Sequence, residues 1–350
     1  MKPDPILAAM TGLALSAACA AEKPELYTFR EPHMGTEFTI RSWTEEGRVE
    51  DLTRSTRRAF ARVAELNQIF SDYLPESELN ELAKAPSRKP IPVSEDLFAI
   101  FRKAEAVHEA SGGAFDITAG PLVRSWRLSK KNRRLPEKDK RLFALARTGF
   151  HHLELDPEKR TIMKRVDGML FDLGGIAKGY AADAALEILR EDGFPQSLVA
   201  ASGDIVVGDP PPGKTSWRIG VETIDTNLAS KDLPTVNIAN MAISTSGDAR
   251  QFVEIDGVRY SHIVSTKTGL GLTERAGASV IAPDATTSDS YATTVTLLGQ
   301  KEGLQFIENQ RGVECQIVVL RDGRETSVRS DGFLRYQEPE TEEKGSLPPP

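Results

Sequence analysis

Cysteine is nearly absent from this chain: two in 350 residues, Cys19 and Cys315. A disulfide framework is therefore excluded, and the fold must be held by its core. Only if Cys19 is retained could the two pair. Cys315 stands in Glu-Cys-Gln-Ile-Val-Val-Leu, which reads as a strand and makes it a small buried apolar residue. Positive charge is also short. Lys and Arg number 44 against 51 Asp and Glu, a net charge of −7, which argues against a nucleic-acid footprint. An acidic ligand would need a cation or local basic groups beside it. No repeat at solenoid spacing occurs. The N-terminal apolar run, Ile6 to Ala18, is too short for a comfortable membrane span and fits the core of an export signal. Cleavage after Ala20 would use the small residues Ala18 and Ala20. Cleavage before Cys19, behind an imperfect lipobox Leu15 to Ala18, would leave a lipid on Cys19. Both predict an exported, periplasmic chain, anchored to a membrane in the second case; an uncleaved N-terminal helix is the third reading.

What is present is an ordinary globular composition, 39% apolar and 27% charged. Apolar spacing predicts a helix over 56–70 (Phe60, Val63, Leu66, Phe70) and another over 95–110, opened by Ser94 and closed at Gly112-Gly113. A third covers 178–192, with Tyr180, Ala181, Ala184, Ile188 and Leu189 on its stripe. Leu153 to Leu155 and Thr161 to Met163 flank a hairpin signal, as do Phe252 to Ile255 and Val258 to Val264 around Asp256-Gly257. An apolar run over 198–207 is broken at Ser202-Gly203-Asp204. Hairpins with segregated helices predict an α+β fold rather than an alternating parallel one. Residues 26–337 are expected to form one domain. The basic stretch 129–141 reads as a solvated connection, with a docking surface as its alternative. The acidic and proline-rich tail 338–350 reads as disordered.

Four segments carry chemistry. Asp172-Leu-Gly-Gly-Ile-Ala-Lys-Gly-Tyr180 puts paired glycines before a helix start, where a backbone can approach an anion and free N–H groups can bind it. A tight turn explains the pair as well. Thr287 to Gly299 predicts a helix from Ser288 to Gly299, with Asp289 and Thr293 four apart on one face. Hard oxygens beside a phosphate suit Mg²⁺, although Asp289 could equally be an N-terminal charge. Gly112 to Pro121 sets Phe115 and Asp116 between glycine turns, an arrangement that could stack a planar ring and bond its N–H, although a turn alone explains it as well. Arg259 to Gly269 places Tyr260, His262 and Val264 on one strand face.

Together these segments resemble the ApbE family of FAD:protein FMN transferases, in order from Met34-Gly35-Thr36 to Leu298-Gly299. Also matching are Tyr73 with Ser77 and Leu79, Gly113 to Asp116 with Gly120-Pro121, Asp172 to Tyr180, Ser202-Gly203-Asp204, Ser244 to Gly247, His262-Ile263-Val264, and Asp289 with Thr293. The resemblance implies an ApbE-like, T-fold-related α+β architecture with antiparallel sheets and helices on one side. It also implies Mg²⁺-dependent cleavage of FAD, with FMN passing to a Thr or Ser hydroxyl of an exported electron-transfer protein and AMP leaving. The acceptor motif would hold an Asp, a small residue and the Thr or Ser. The resemblance assigns Mg²⁺ to Asp289, Thr293 and the Gly175 carbonyl. It assigns FAD contacts to Met34, Tyr73, Ala114, Phe115, Asp116, Asp172, Lys178 and Ile263, with Tyr73 as a gating aromatic. His262 would assist removal of the acceptor's proton.

Two departures stand out. Ser265-Thr266 replaces the family's Asp-Pro, which removes a carboxylate and predicts slowed transfer. Ser202 replaces the first glycine of Gly-Gly-Asp. The alternatives are an FAD carrier without turnover, or a pyrophosphatase that yields FMN and AMP.

Overall fold

The computed structural model describes residues 23–221, 233–247, 251–321 and 324–337. The expected export signal and the tail 338–350 lie outside them. Fifteen strands occur in chain order among the described residues. They are β1 Glu25–His33, β2 Thr36–Thr44, β3 Ile91–Pro92, β4 Leu153–Asp156, β5 Thr161–Lys164, β6 Ser197–Ala201, β7 Asp204–Val207 and β8 Trp217–Gly220. The rest are β9 Thr235–Ile238, β10 Ala242–Gly247, β11 Phe252–Ile255, β12 Val258–Ser261, β13 Arg275–Ala282, β14 Glu314–Arg321 and β15 Arg324–Arg329. The helices are α1 Val49–Phe70, α2 Glu78–Lys84, α3 Glu95–Ala110, α4 Gly120–Asn132, α5 Lys138–Leu145, α6 Ala177–Glu191 and α7 Ala285–Glu308. The α+β reading holds.

The frame is one eight-stranded sheet, ordered β1-β2-β6-β7-β10-β13-β14-β15, with every neighbour antiparallel. Strand alternation splits its residues between two faces. Val199, Ala201, Val206 and Ala242 face the main core with α1 and α6. Ala278, Val280, Cys315 and Ile317 face α7. On the opposite face Leu198, Val207, Ile243 and Ile281 meet Trp217 of β8, Val236 of β9 and Phe333. Helices therefore form a layer on one side, and the β8–β9 hairpin covers the other. Cys315 is fully buried, and burial pushes its thiol up to about 12.

Several elements differ from the sequence expectation in their ends. α1 begins seven residues before the predicted 56, because Leu52 already belongs to its buried stripe. α3 matches its predicted span, and the Ser94 hydroxyl accepts from Leu97 N at 3.2 Å. β12 stops at Ser261, three residues short of Val264, so strand alternation does not orient His262. The basic stretch 129–141 is mostly helical: it supplies the end of α4 and the start of α5, joined through Arg133 at φ 50°. α7 begins at Ala285 behind the Asp284 cap, not at Ser288, and it continues past Gly299 to Glu308. Gly299 is still a break, with φ 77° inside the merged helix.

Candidate active site

Two tight hairpins and two helices converge on one cavity of about 540 Å³. The first hairpin joins β1 to β2. His33 pairs with Thr36, so Met34-Gly35 is the whole loop, with φ 49° and 73°. Two left-handed residues give the turn whose twist matches the strands. Methionine at such a φ is uncommon, and it places Met34 on the cavity wall. The second joins β6 to β7 through Ser202-Gly203, since Ala201 pairs with Asp204. Ser202 takes φ 61°, a conformation glycine adopts at no steric cost.

The floor is built by α6 and α7. The Gly174-Gly175 turn precedes α6, and Gly174 N donates to the Asp172 carboxylate at 2.8 Å. A Cβ on Gly175 would sit 2.8 Å from Thr293 Oγ1, so that glycine keeps the turn against α7. Gly179 N donates to Asp289 Oδ2 at 3.0 Å. The α6 N-terminus is thus partly engaged by a protein carboxylate and is not left wholly open to an anion. At the α7 start, the Asp183 carboxylate accepts from Ala285 N and Thr286 N, each at 2.8 Å, and Asp284 accepts from Thr287 N at 2.7 Å. Asp289 therefore lies beyond the first turn of α7, not at its N-terminus.

Charge is concentrated on this floor. Lys178 Nζ bonds Asp204 and lies 3.9 Å from Asp289 Oδ2. Asp204 and Asp289 are both buried. Burial, then the charge of Asp204, pushes the Asp289 carboxyl up to about 7 against the pull of Lys178. Burial lowers Lys178, but the two carboxylates outweigh it and hold the ammonium above its ordinary value.

The mouth carries the ring-sized groups. Tyr73 is 73% exposed, and the Arg127 guanidinium stacks over it at 4.3 Å. Arg127 bonds Asp72 and lies 3.8 Å from Asp172. Phe115 is buried in the main core, so its ring offers no open stacking face. Asp116 accepts from Thr118 N at 2.8 Å and from its hydroxyl at 2.6 Å, and burial raises its carboxyl above the ordinary range. His262 Nδ1 lies 3.2 Å from the Gln251 carbonyl, an acceptor only, so Nδ1 carries the proton and Nε2 is left as a base. Burial lowers the His262 pKa from its ordinary value. The Ser265 hydroxyl accepts from Lys267 N at 3.2 Å; Thr266, not Ser265, lines the cavity.

All twelve residues singled out in the sequence line this one cavity: Met34, Tyr73, Ala114, Phe115, Asp116, Asp172, Gly175, Lys178, His262, Ile263, Asp289 and Thr293. A family model, the ApbE family, matches residues 34–317. The chain belongs to the ApbE family.

A Vibrio cholerae relative named FAD:protein FMN transferase is 30% identical over 321 residues, 91% of this chain and 94% of that protein. One from Haemophilus influenzae with the same name is 26% identical over 93% of this chain and 96% of its own. Among solved structures, the flavin transferase ApbE from Vibrio cholerae aligns with a TM-score of 0.79 at 26% identity, over 89% of this chain and 99% of that one. The apo flavinyl transferase ApbE of Pseudomonas stutzeri aligns with the same TM-score and identity, over 90% and 98%. Asp204, which in the sequence is only part of a motif, bonds Lys178 on the floor, and Arg127, Lys130 and Gln251 line the cavity outside any of the sequence motifs. Asp204 had a signal, a carboxylate after a hairpin turn. Gln251 had none, because its link to His262 crosses the β11–β12 hairpin.

Proposed function

We propose that the chain transfers FMN from FAD to a serine or threonine hydroxyl of an exported partner protein, with Mg²⁺ required and AMP released. One observation carries the reading: a single cavity joins an aromatic mouth to a floor of buried carboxylates, an ammonium and hard oxygen donors. FAD has ends of both kinds, a planar ring system and a pyrophosphate.

The floor fits Mg²⁺. No three His, Cys, Asp or Glu cluster for a metal among the described residues, so these side chains alone form no metal cage there. Mg²⁺ instead favours one or two carboxylates with substrate phosphates. Asp289, Thr293 and the Gly175 carbonyl would hold it, and a cation there would offset the burial and the repulsion from Asp204 that raise Asp289. When bound it would neutralise the pyrophosphate and the charge developing on the transferred phosphoryl. Lys178 adds positive charge to the same floor. The acceptor hydroxyl oxygen forms a new bond to the FMN phosphorus. The pyrophosphate P–O bond breaks, and AMP leaves with the bridging oxygen. His262 Nε2 takes the hydroxyl proton, while Gln251 holds the ring in the tautomer that can accept it.

The test is AMP release from FAD, with and without Mg²⁺, together with the mass of an acceptor peptide. Mg²⁺-dependent AMP and a peptide heavier by FMN are expected. Asp289→Ala should lower both by about a hundredfold. Free FMN with AMP and no labelled peptide would make the chain a hydrolase. Bound, unchanged FAD would make it a carrier.

A further inference from the structure

Ten of the 44 lysines and arginines fall between Arg124 and Arg147, against two of the 51 acidic residues, Glu137 and Asp139. The stretch carries +8 within a chain of net charge −7. It forms α4, α5 and their connection. Arg127 and Lys130 line the cavity, where burial and then Arg127 lower Lys130. Lys131, Arg133, Arg134 and Lys138 are exposed away from it and make no ion pair among the described residues. Such charge is ordinarily interspersed with carboxylates, and here it is not.

The same segment also exposes apolar surface. Leu128, Leu135, Leu142 and Phe143 are four of the eight large apolar side chains left exposed among the described residues. A fifth, Tyr73, stands at the mouth. The lobe is firmly attached. Trp126 of α4 donates to the Ser261 carbonyl at 3.0 Å, and Leu122, Trp126, Ala144, Ile255 and Val264 share one core. Arg141 of α5 packs against Gly269, beyond the His262 segment. The outer face is therefore held at a fixed place beside His262.

We infer that this α4–α5 lobe docks the acceptor protein, which meets it with an acidic surface around an apolar centre. The inference rests on the transferase reading. That reaction must bring a protein hydroxyl to His262, and the lobe flanks that residue, with Trp126 on the Ser261 carbonyl and Lys130 in the cavity wall. Charge complementarity then selects an acidic partner. A membrane would need no alignment with the cavity mouth, which favours a protein over a lipid surface.

Two synthetic peptides test this. Both carry the same Asp, small residue and Thr; one is flanked by glutamates, the other by lysines. The chain should label the glutamate-flanked peptide with a kcat/KM about tenfold higher at low salt, and the difference should vanish at high salt. Lys131→Glu with Arg134→Glu and Lys138→Glu should abolish the preference while FAD binding, read by flavin fluorescence, stays unchanged. Leu142→Ser should raise KM for either peptide and leave kcat. Equal labelling of both peptides by the parent chain at every salt concentration overturns the docking role but leaves the transferase reading standing. So does pelleting with phosphatidylglycerol vesicles that depends on the three cations without any peptide preference. Absence of both AMP and labelled peptide would bring down the transferase reading, and the docking role with it.

Discussion

Single residues in this molecule hold conformations that their neighbours dictate. Ser202 is one. Its φ of 61° is imposed by the two-residue link between β6 and β7. Ser202→Gly should raise stability by about 1 kcal/mol, measured as a higher urea midpoint with an unchanged m value. Asp183 is another. Burial raises its carboxyl to about 6 despite three hydrogen bonds from Ala285 and Thr286. A carboxyl raised on folding favours the folded chain most below its unfolded pKa, and that stability is lost as pH rises through about 6. The contribution is on the order of 3 kcal/mol. Asp183→Asn should flatten the fall in stability between about pH 4 and 6. An unchanged slope in urea titrations across that range would refute the assignment.

At this scale the sequence was informative about residue types and poor about their partners. The twelve predicted residues meet in one cavity because turns and helix faces are local features. The pairing of Lys178 with Asp204, and of His262 with Gln251, comes from tertiary packing that local spacing does not encode.

Among the elements, α6 and α7 form the contact on which the floor depends. Gly179 lets them close: a Cβ there would land on the Ala285 carbonyl and within 2.9 Å of the Asp289 Cβ. Gly179→Ala should cost about 3 kcal/mol and displace Asp289, so activity should fall before the thermal transition does. A crystal structure of that variant with the helices unmoved would count against this account. The helices were legible where a capping residue fixed them. Ser94 placed the start of α3, while α1 and α7 began earlier than expected because apolar periodicity shows a stripe more clearly than its first turn. The stretch 129–141 shows the opposite failure. Its polarity suggested a connection, but exposed helices are polar too, and only the packing of Trp126 and Ala144 against Ile255 and Val264 reveals them.

For the molecule as a whole, stability resides in three layers packed about an antiparallel sheet and owes nothing to cross-links among the described residues. Cys315, fully buried with its thiol pushed up to about 12, should resist alkylation by a thiol reagent until the chain unfolds. Reductant should leave the melting temperature unchanged. Rapid labelling of Cys315 itself in the folded chain, located by peptide mass, would show that the core around β14 opens locally. The α+β class could be read from hairpins and segregated helices. The strand order could not, because β2 pairs with β6 more than 150 residues later along the chain.

That long-range order also sets a timetable. Met34 is among the first described residues to be synthesised and Thr293 among the later ones, yet both line the same cavity. A ribosome must release the chain through α7 before Asp289 and Thr293 can reach Gly179 and Gly175. Such distant pairings also close slowly. A nascent chain that stops before α7 holds the segments of the other six described helices and a cavity without its floor: that floor can close only once α7 has left the ribosome.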